Sequence, residues 1–422
     1  MNIQPLIDIK NRRDFNEAFE IAMSGAHQSL KSKWQFGKDQ NLPKSYLVEF
    51  HPKSNGHTDH AWGTDELFKT LQITGQAYGA NVLRTDDDSL LYLAHDEQPY
   101  YAEFIVDCLN PRFLIFHTLS NARSTNRFIF NRLTQYQPEF DLFWLPVSLL
   151  ERVEKREQVT GWEASFDPLL DIVDLAGREE TIAEDDELAT QADDEAIDSS
   201  ETIESELPSG ILKHTRLHMK IQRPNALSAY RQLKYQSEIF PDVPLSSILA
   251  ERYDSELDTH ARALIKSNGK ITGRGTDFSA YMQIVNGTLD NYAHVINTLE
   301  SKYWLGLTPV RSEESIGLRL DGEPFCITFE SEIDVESVIA AMFNCERPFR
   351  LMGEPEKLAD NYYAVDAIDL HVGQPLAIEI APKMMRLYLY RGTCGNTIVR
   401  ILRSLQHYII SNLIHPPLED EE

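Results

Sequence analysis

The sequence predicts an α+β fold: two domains, each a mainly antiparallel sheet with helices on one face, joined by an acidic disordered linker. Three observations carry this expectation. One acidic stretch divides the 422 residues. Short apolar runs with period-two alternation recur on both sides of it. The runs on the two sides also come in the same order.

The divider spans Glu179 to Glu206, with thirteen acidic residues and no basic one. It has no aromatic residue either, so it cannot bury enough surface to offset the entropy of ordering. The boundaries that follow are 1–177 for the first domain, 178–210 for a self-repelling linker, 211–415 for the second domain and 416–422 for an acidic tail. Setting aside the thirteen residues and the four acids of Glu419–Glu422 changes the net charge from −26 to −9. The remainder is only mildly acidic, and nucleic acid is not excluded as a partner. With 42% hydrophobic and 25% charged residues, that remainder can fold around ordinary cores. The chain has no long apolar run and no signal-like start, and a cytoplasmic protein is expected. Its four cysteines are scattered without a C-x-x-C pair, which fits reduced thiols.

In the first half, "NRRDFNEAFEIAMSGAHQSLKSKW" has helical spacing and "SYLVEFH" alternates as a strand. A helix follows, with Thr64 as N-cap and Gly79 as its stop. Four strands come next, "ANVLR", "SLLYLAH", "YYAEFIVDCL" and "RFLIFHTLS", and then the closing helix "TNRFIFNRLTQY". In the second half, "IGLRLDGEPFCITFE" predicts a hairpin around Asp321 and Gly322. Its second arm leads to the helix "IDVESVIAAMFN". The strands "PFRLMG", "YYAVDAIDLH", "PLAIEIA" and "MRLYLYRG" follow, closed by the helix "NTIVRILRSLQHYI". Both halves read β-α-β-β-β-β-α, offset by roughly 270 residues, which indicates an internal duplication. This order resembles the TATA-binding-protein-like and Bet v 1-like folds. The resemblance implies an uncovered sheet face that lies against nucleic acid, packs on a partner or lines a small cavity.

Candidate sites follow from side-chain chemistry. Alternation puts Arg386, Tyr388 and Tyr390 on one strand face, with Leu387 and Leu389 on the other. The helix after it carries the apolar stripe Ile398, Ile401, Leu402, Leu405 and Ile409, which would cover the leucines and leave the Arg/Tyr face open. Arginine beside tyrosines suits base stacking or a protein partner. The strand "KHTRLHMKIQR" places Arg216, His218 and Lys220 on one face, and Arg274 sits on a glycine-rich loop nearby. Phosphates or the chain's own acidic linker would answer these charges. The turn "RGTCGNT" offers Gly392, Gly395, Asn396 and Thr397 as an anion site at a helix N-terminus, although it lacks a P-loop lysine and spacing. His57, Asp59 and His60 resemble the H-x-D-H end of the metal motif of metallo-β-lactamase-fold hydrolases, with Asn55 where its first histidine belongs. That resemblance implies a metal-activated water, with His51, His95 or His117 as further ligands. Asp369, His371 and Glu379 lie on adjacent strands.

No complete catalytic set and no cofactor fingerprint is present. The function expected is a non-enzymatic binding or assembly protein, a subunit of a larger bacterial complex that engages nucleic acid or a protein. The alternatives are a metal-dependent hydrolase or nuclease at His57, Asp59 and His60, and a nucleotide or small-anion sensor at the Gly392 turn.

Overall fold

The computed structural model describes residues 5–32, 42–51, 63–166, 217–222, 225–236, 243–254, 259–311, 316–410 and 412–418. Helix α1 (Arg12–Ser32) starts at Asn11, whose side-chain oxygen accepts from the N–H groups of Arg13 and Asp14. Then come β1 (Lys44–Phe50), α2 (Thr64–Tyr78), β2 (Ala80–Arg84), β3 (Leu90–Glu97), β4 (Tyr100–Asp107) and β5 (Phe113–Thr118). Helix α3 (Ala122–Phe128) continues through a π-helical turn, Ile129–Leu133. Thr64 is the first helical residue of α2 rather than its cap; Gly63 takes that place, and no side chain caps the helix. Gly79 ends it in the left-handed conformation at φ 69°.

Next are β6 (Phe140–Leu142), α4 (Val147–Arg152), β7 (Gln158–Phe166), β8 (Leu217–Gln222), α5 (Ala226–Gln236), β9 (Leu245–Asp254), β10 (Thr259–Lys266), β11 (Lys270–Gly275) and α6 (Phe278–Lys302). The chain closes with β12 (Trp304–Arg311), β13 (Ile316–Asp321), β14 (Phe325–Phe329), α7 (Val335–Met342), β15 (Leu351–Ala359), β16 (Tyr362–Asp369), β17 (Gln374–Ala381), β18 (Met384–Tyr390), α8 (Asn396–Tyr408) and β19 (Leu413–Ile414).

These strands form two sheets of an α+β protein. Sheet A has the order β2-β3-β4-β5-β1-β11-β10-β9-β7-β8, with β6 also paired to β1. Sheet B has the order β13-β12-β18-β17-β16-β15, with β14 paired to β18 and β19. Every pair is antiparallel except β12 with β18.

The two β-α-β-β-β-β-α runs have the same topology. The first gives β2-β3-β4-β5-β1 and the second gives β15-β16-β17-β18-β14. Each run also has an eighth element that alternation could not reveal. After the closing helix, β6 returns to pair with β1 and β19 returns to pair with β14. Strands of two or three residues carry no readable period. Register fixes the correspondence. Phe50 pairs with Phe140 as Phe329 pairs with Leu413, and Glu49 pairs with Phe113 as Thr328 pairs with Met384. Ile115 is therefore equivalent to Arg386, and His117 to Tyr388.

Three expectations change. The hairpin around Asp321 and Gly322 does not form: β13 pairs with β12, and β14 leaves to pair with β18. The backbone at Gly322 (φ 87°) lies so close to the Trp304 carbonyl that a Cβ would meet it at 1.6 Å, so the chain turns there against β12. Second, hydrogen bonding runs across the acidic divider. Residues 217–275 supply β8–β11 to sheet A, next to β7 and β1, so the sheets do not follow the division into 1–177 and 211–415. The linker, 178–210, lies outside the described residues. Third, Leu418 is buried, so packing extends into the segment expected to be a tail.

Sheet A is covered on both faces around β1 and β5, which are buried along their whole length. One side holds Val48, Leu114 and Phe116 against α2 and α3; the other holds Leu47, Phe113 and Ile115 against α1 and α6. Among the described residues, sheet B is covered on one face, by α7 and α8, and β16, β17 and β18 alternate in burial accordingly. Helix α8 lies between the sheets. Eleven of its thirteen residues are buried, and Gln406, His407 and Arg403 bond respectively to Val147, to Ser165 and to Ser267 of the sheet A side.

Because both sheets rest on α8, they should unfold together. Leu402→Ala should cost ~2–5 kcal/mol through the cavity it leaves. Hydrogen exchange should then show amides of β9 and β17 losing protection by the same factor; independent loss would mean that the sheets fold separately.

Candidate functional site: a buried charge cluster between the repeats

The first half of the cluster is built on β1 and on the turn before α8. Glu49 is fully buried near the end of β1, and His51 follows just past the strand. A carboxylate in that position requires strong partners. Arg112, just before β5, supplies them: its Nε lies 2.8 Å and its Nη2 2.7 Å from Glu49 Oε1. The other oxygen accepts from Asn396 Nδ2 (3.2 Å) and from the Tyr292 hydroxyl (3.3 Å). Arg112 also binds Glu300 of α6 in bidentate fashion, with one contact at 3.0 Å. Cys394 completes the group: its Sγ donates to Glu49 Oε1 at 3.3 Å and lies 4.0 Å from His51 Nε2.

The electrostatics follow from burial and these contacts. Burial alone would raise the Glu49 pKa, but Arg112, His51 and Asn396 outweigh it and hold the carboxyl below its ordinary value. Burial, with Glu49 and Glu300 nearby, pushes the Cys394 thiol well up, so it carries its proton. Burial lowers His51 and keeps its ring neutral.

The second half is an ion triad. Arg400 of α8 is fully buried. It donates to Asp369 at the end of β16 and to the Phe349 carbonyl (2.9 Å), and its Nε lies 3.5 Å from Asp141 of β6. Asp369 also accepts from the Thr397 hydroxyl (2.5 Å) and the His371 N–H (2.9 Å). One guanidinium cannot serve two buried carboxylates equally. Asp369 has the closer contact and is held well below its ordinary pKa: burial opposes this, and Arg400, His371 and Thr397 outweigh it. Asp141 is left with burial and the neighbouring Asp369 charge, and rises to about 7 against the pull of Arg400. Asp141 comes from the first repeat, and Asp369 and Arg400 come from the second, so the triad ties the two together.

The anion site expected at Gly392, Gly395, Asn396 and Thr397 is already filled from within. The N–H of Gly395 donates to Glu300 Oε1 (2.9 Å), Asn396 binds Glu49, and Thr397 binds Asp369. The helix N-terminus does attract negative charge, and the protein's own carboxylates provide it. Gly392 serves the turn itself, at φ 87°. Asp369 and His371 meet as expected, with 3.4 Å between Oδ1 and Nδ1, whereas Glu379 lies on the other face of sheet B, 3.0 Å from Arg386. Arg386 and Tyr388 are half-buried and Tyr390 is exposed, on the open face where alternation put them.

Arg274, expected on a glycine-rich loop, lies instead within β11, opposite Arg262 of β10, because Lys270–Gly275 pairs along β10. His218 and Lys220 sit on β8 at the edge of sheet A, in register with Ser165 and Glu163. His57, Asp59, His60 and Arg216 lie outside the described residues. Of the further histidines, His95 and His117 are buried apart from the cluster, and His117 binds the Ser45 hydroxyl at 2.9 Å. A cleft of about 1120 Å³ opens between α1 and α6. Its floor is apolar, from Phe15, Phe113, Phe278 and Met282, and its rim mixes both signs of charge, with Arg12 already held by Asp107.

Residues 3–415 match the family described as MJECL33-like protein. The chain belongs to that family. Among its relatives is a protein of Methanocaldococcus jannaschii described as "Uncharacterized protein MJECL33", 24% identical over 417 residues, which span 96% of this chain and 94% of the relative. No solved structure matches. Among the described residues, no helix is long and apolar enough to cross a membrane.

Removing one partner of the triad should be costly: Arg400→Met should destabilise by ~3–5 kcal/mol, and adding Asp369→Asn should restore part of the loss. Chemical denaturation of the single and double variants measures both. Acid should also weaken the fold. Burial lowers His117 to about 4 and His371 to about 3, against an ordinary value of 6.5. Below pH 6.5 the unfolded chain binds protons that the folded chain does not, so stability falls as pH drops towards these values. His371→Gln should flatten that fall in thermal melts followed against pH.

Proposed function

We propose that this is a binding and assembly protein that accepts a basic, amphipathic helix of a partner protein on the open face of sheet B. One comparison between the repeats carries this reading. In the first repeat, the face bearing Phe113, Ile115 and His117 is covered by α1 and α6: Phe15 of α1 packs 5.0 Å from the His117 ring, and Tyr292 of α6 packs 6.1 Å from Phe113. The equivalent face of the second repeat bears Met384, Arg386 and Tyr388, and no helix among the described residues covers it.

The composition of that face supports a protein as occupant. Met352, Leu358, Ile368 and Tyr390 are exposed there, between 39% and 50%, and register sets Met352, Ile368 and Tyr390 in one row across the sheet, an apolar strip of the kind that marks interaction sites. Glu354, Glu356, Asp366 and Glu379 share the face by register. Arg386 lies on it and is paired with Glu379. Four carboxylates would repel a phosphate backbone and favour lysine or arginine on a partner. The choice of a helix follows the first repeat, where helices fill the equivalent space.

A photo-crosslinker at position 388 of the full chain, expressed in its native host, tests this. The captured protein should contain a Lys/Arg-bearing amphipathic helix at the crosslink. Glu354→Lys with Asp366→Lys should cut capture at least ~10-fold, with the melting temperature unchanged. Crosslinks to nucleic acid or to a second copy of the chain, or capture that survives the charge reversal, would overturn the proposal.

A further inference from the structure

Glu49, His51 and Cys394 bring a carboxylate, an imidazole and a thiol together inside the protein, with their donor atoms all within 4.8 Å of one another. We propose that these three side chains bind a zinc-like divalent cation, which would link the first repeat to the second. The donor types suit such an ion, since thiolate and imidazole are the preferred ligands of zinc and carboxylate is an accepted one. The spacing suits it too. Zinc–sulfur and zinc–nitrogen bonds of ~2.3 and ~2.0 Å set the edge of a tetrahedron at ~3.6 Å. The observed separations, 3.3 Å from Sγ to Glu49 Oε1 and 4.0 Å from Sγ to His51 Nε2, lie on either side of that value.

Two further observations point the same way. Asn396 is fully buried, and its Nδ2 has three acceptors while its Oδ1 has no donor among the described residues. A buried acceptor left in this way is normally satisfied by an ordered water, and a metal site would hold one in the same region. The charges also favour a dication. Arg112 leaves the pair Glu49 and Glu300 with one negative charge in excess. Binding replaces the thiol proton: the S–H bond breaks, the proton leaves to solvent and a metal–sulfur bond forms. Two carboxylates and a thiolate then face one guanidinium and one dication, and the cluster becomes neutral.

The ligands come from distant parts of the chain. Glu49 and His51 belong to β1 and its end, and Cys394 lies just before α8, so occupancy would couple metal supply to the contact between the repeats. The site is independent of the open face of sheet B.

Cobalt(II) is the probe. Titrated into chelator-treated full-length protein, it should bind one equivalent and produce a thiolate-to-cobalt charge-transfer band in the near ultraviolet. Cys394→Ser and His51→Gln should weaken binding more than ~100-fold, while Cys326→Ser should leave it unchanged. Loss of a ligand could also impair folding, so a second measurement uses the unaltered chain: in urea concentrations that open the buried Cys394 to a thiol reagent, one equivalent of zinc should slow its modification and leave the exposed Cys326 reacting as before. A folded protein that shows no cobalt–thiolate band, a band that persists in Cys394→Ser, or zinc that fails to protect Cys394 would each overturn the proposal.

Discussion

Arg400 is the interaction on which the architecture depends. A guanidinium with no exposed surface is tolerated only where carboxylates and carbonyls surround it. Here these come from β6 of the first repeat, from the end of β16 and from the Phe349 carbonyl. The requirement places α8 between the sheets with its N-terminus facing β1. Glu49, Arg112 and Glu300 then gather where the helix begins. A purely apolar contact would hold the sheets together without fixing the rotation of α8; buried charge allows only one arrangement.

Much of this was legible in the sequence, and its limits have physical causes. "ANVLR" is β2 residue for residue, and the stripe from Ile398 to Leu405 is buried as its spacing indicates. The repeated element order is the real topology of both halves. Local pattern could not show that β8–β11 complete the sheet begun by β1, because strand pairing between distant segments leaves no local trace. Nor could it show that Cys394 lies against Glu49, which is 345 residues away. A signal for the cluster did exist. Glu49 in "SYLVEF", Asp141 in "FDLF" and Arg400 in "IVRIL" are single charges within apolar runs, and such a charge needs a buried partner. At the Gly392 turn, the carboxylates that meet the helix terminus are the protein's own, Glu300, Glu49 and Asp369, and sequence spacing carries no sign of partners so distant along the chain.

The two repeats have diverged in what covers them. The first has exchanged an open face for helices of its own chain, and its equivalent of Tyr388 is a buried histidine. The second carries Met384 and Arg386 where the first has Phe113 and Ile115. The family match spans both repeats, so the duplication belongs to the family's architecture as well as to this chain.

Strand β15 bounds that open face. Along its outer half it reads Glu354, Pro355, Glu356 and Lys357, all exposed. Proline cannot donate to a ladder, and the exposed charged side chains discourage a neighbouring strand from docking. Sheet B is therefore closed to extension from this side, including self-association into longer sheets. The protein can display a broad, partly apolar sheet surface without seeding aggregation, and any association there must be made by side chains across the face.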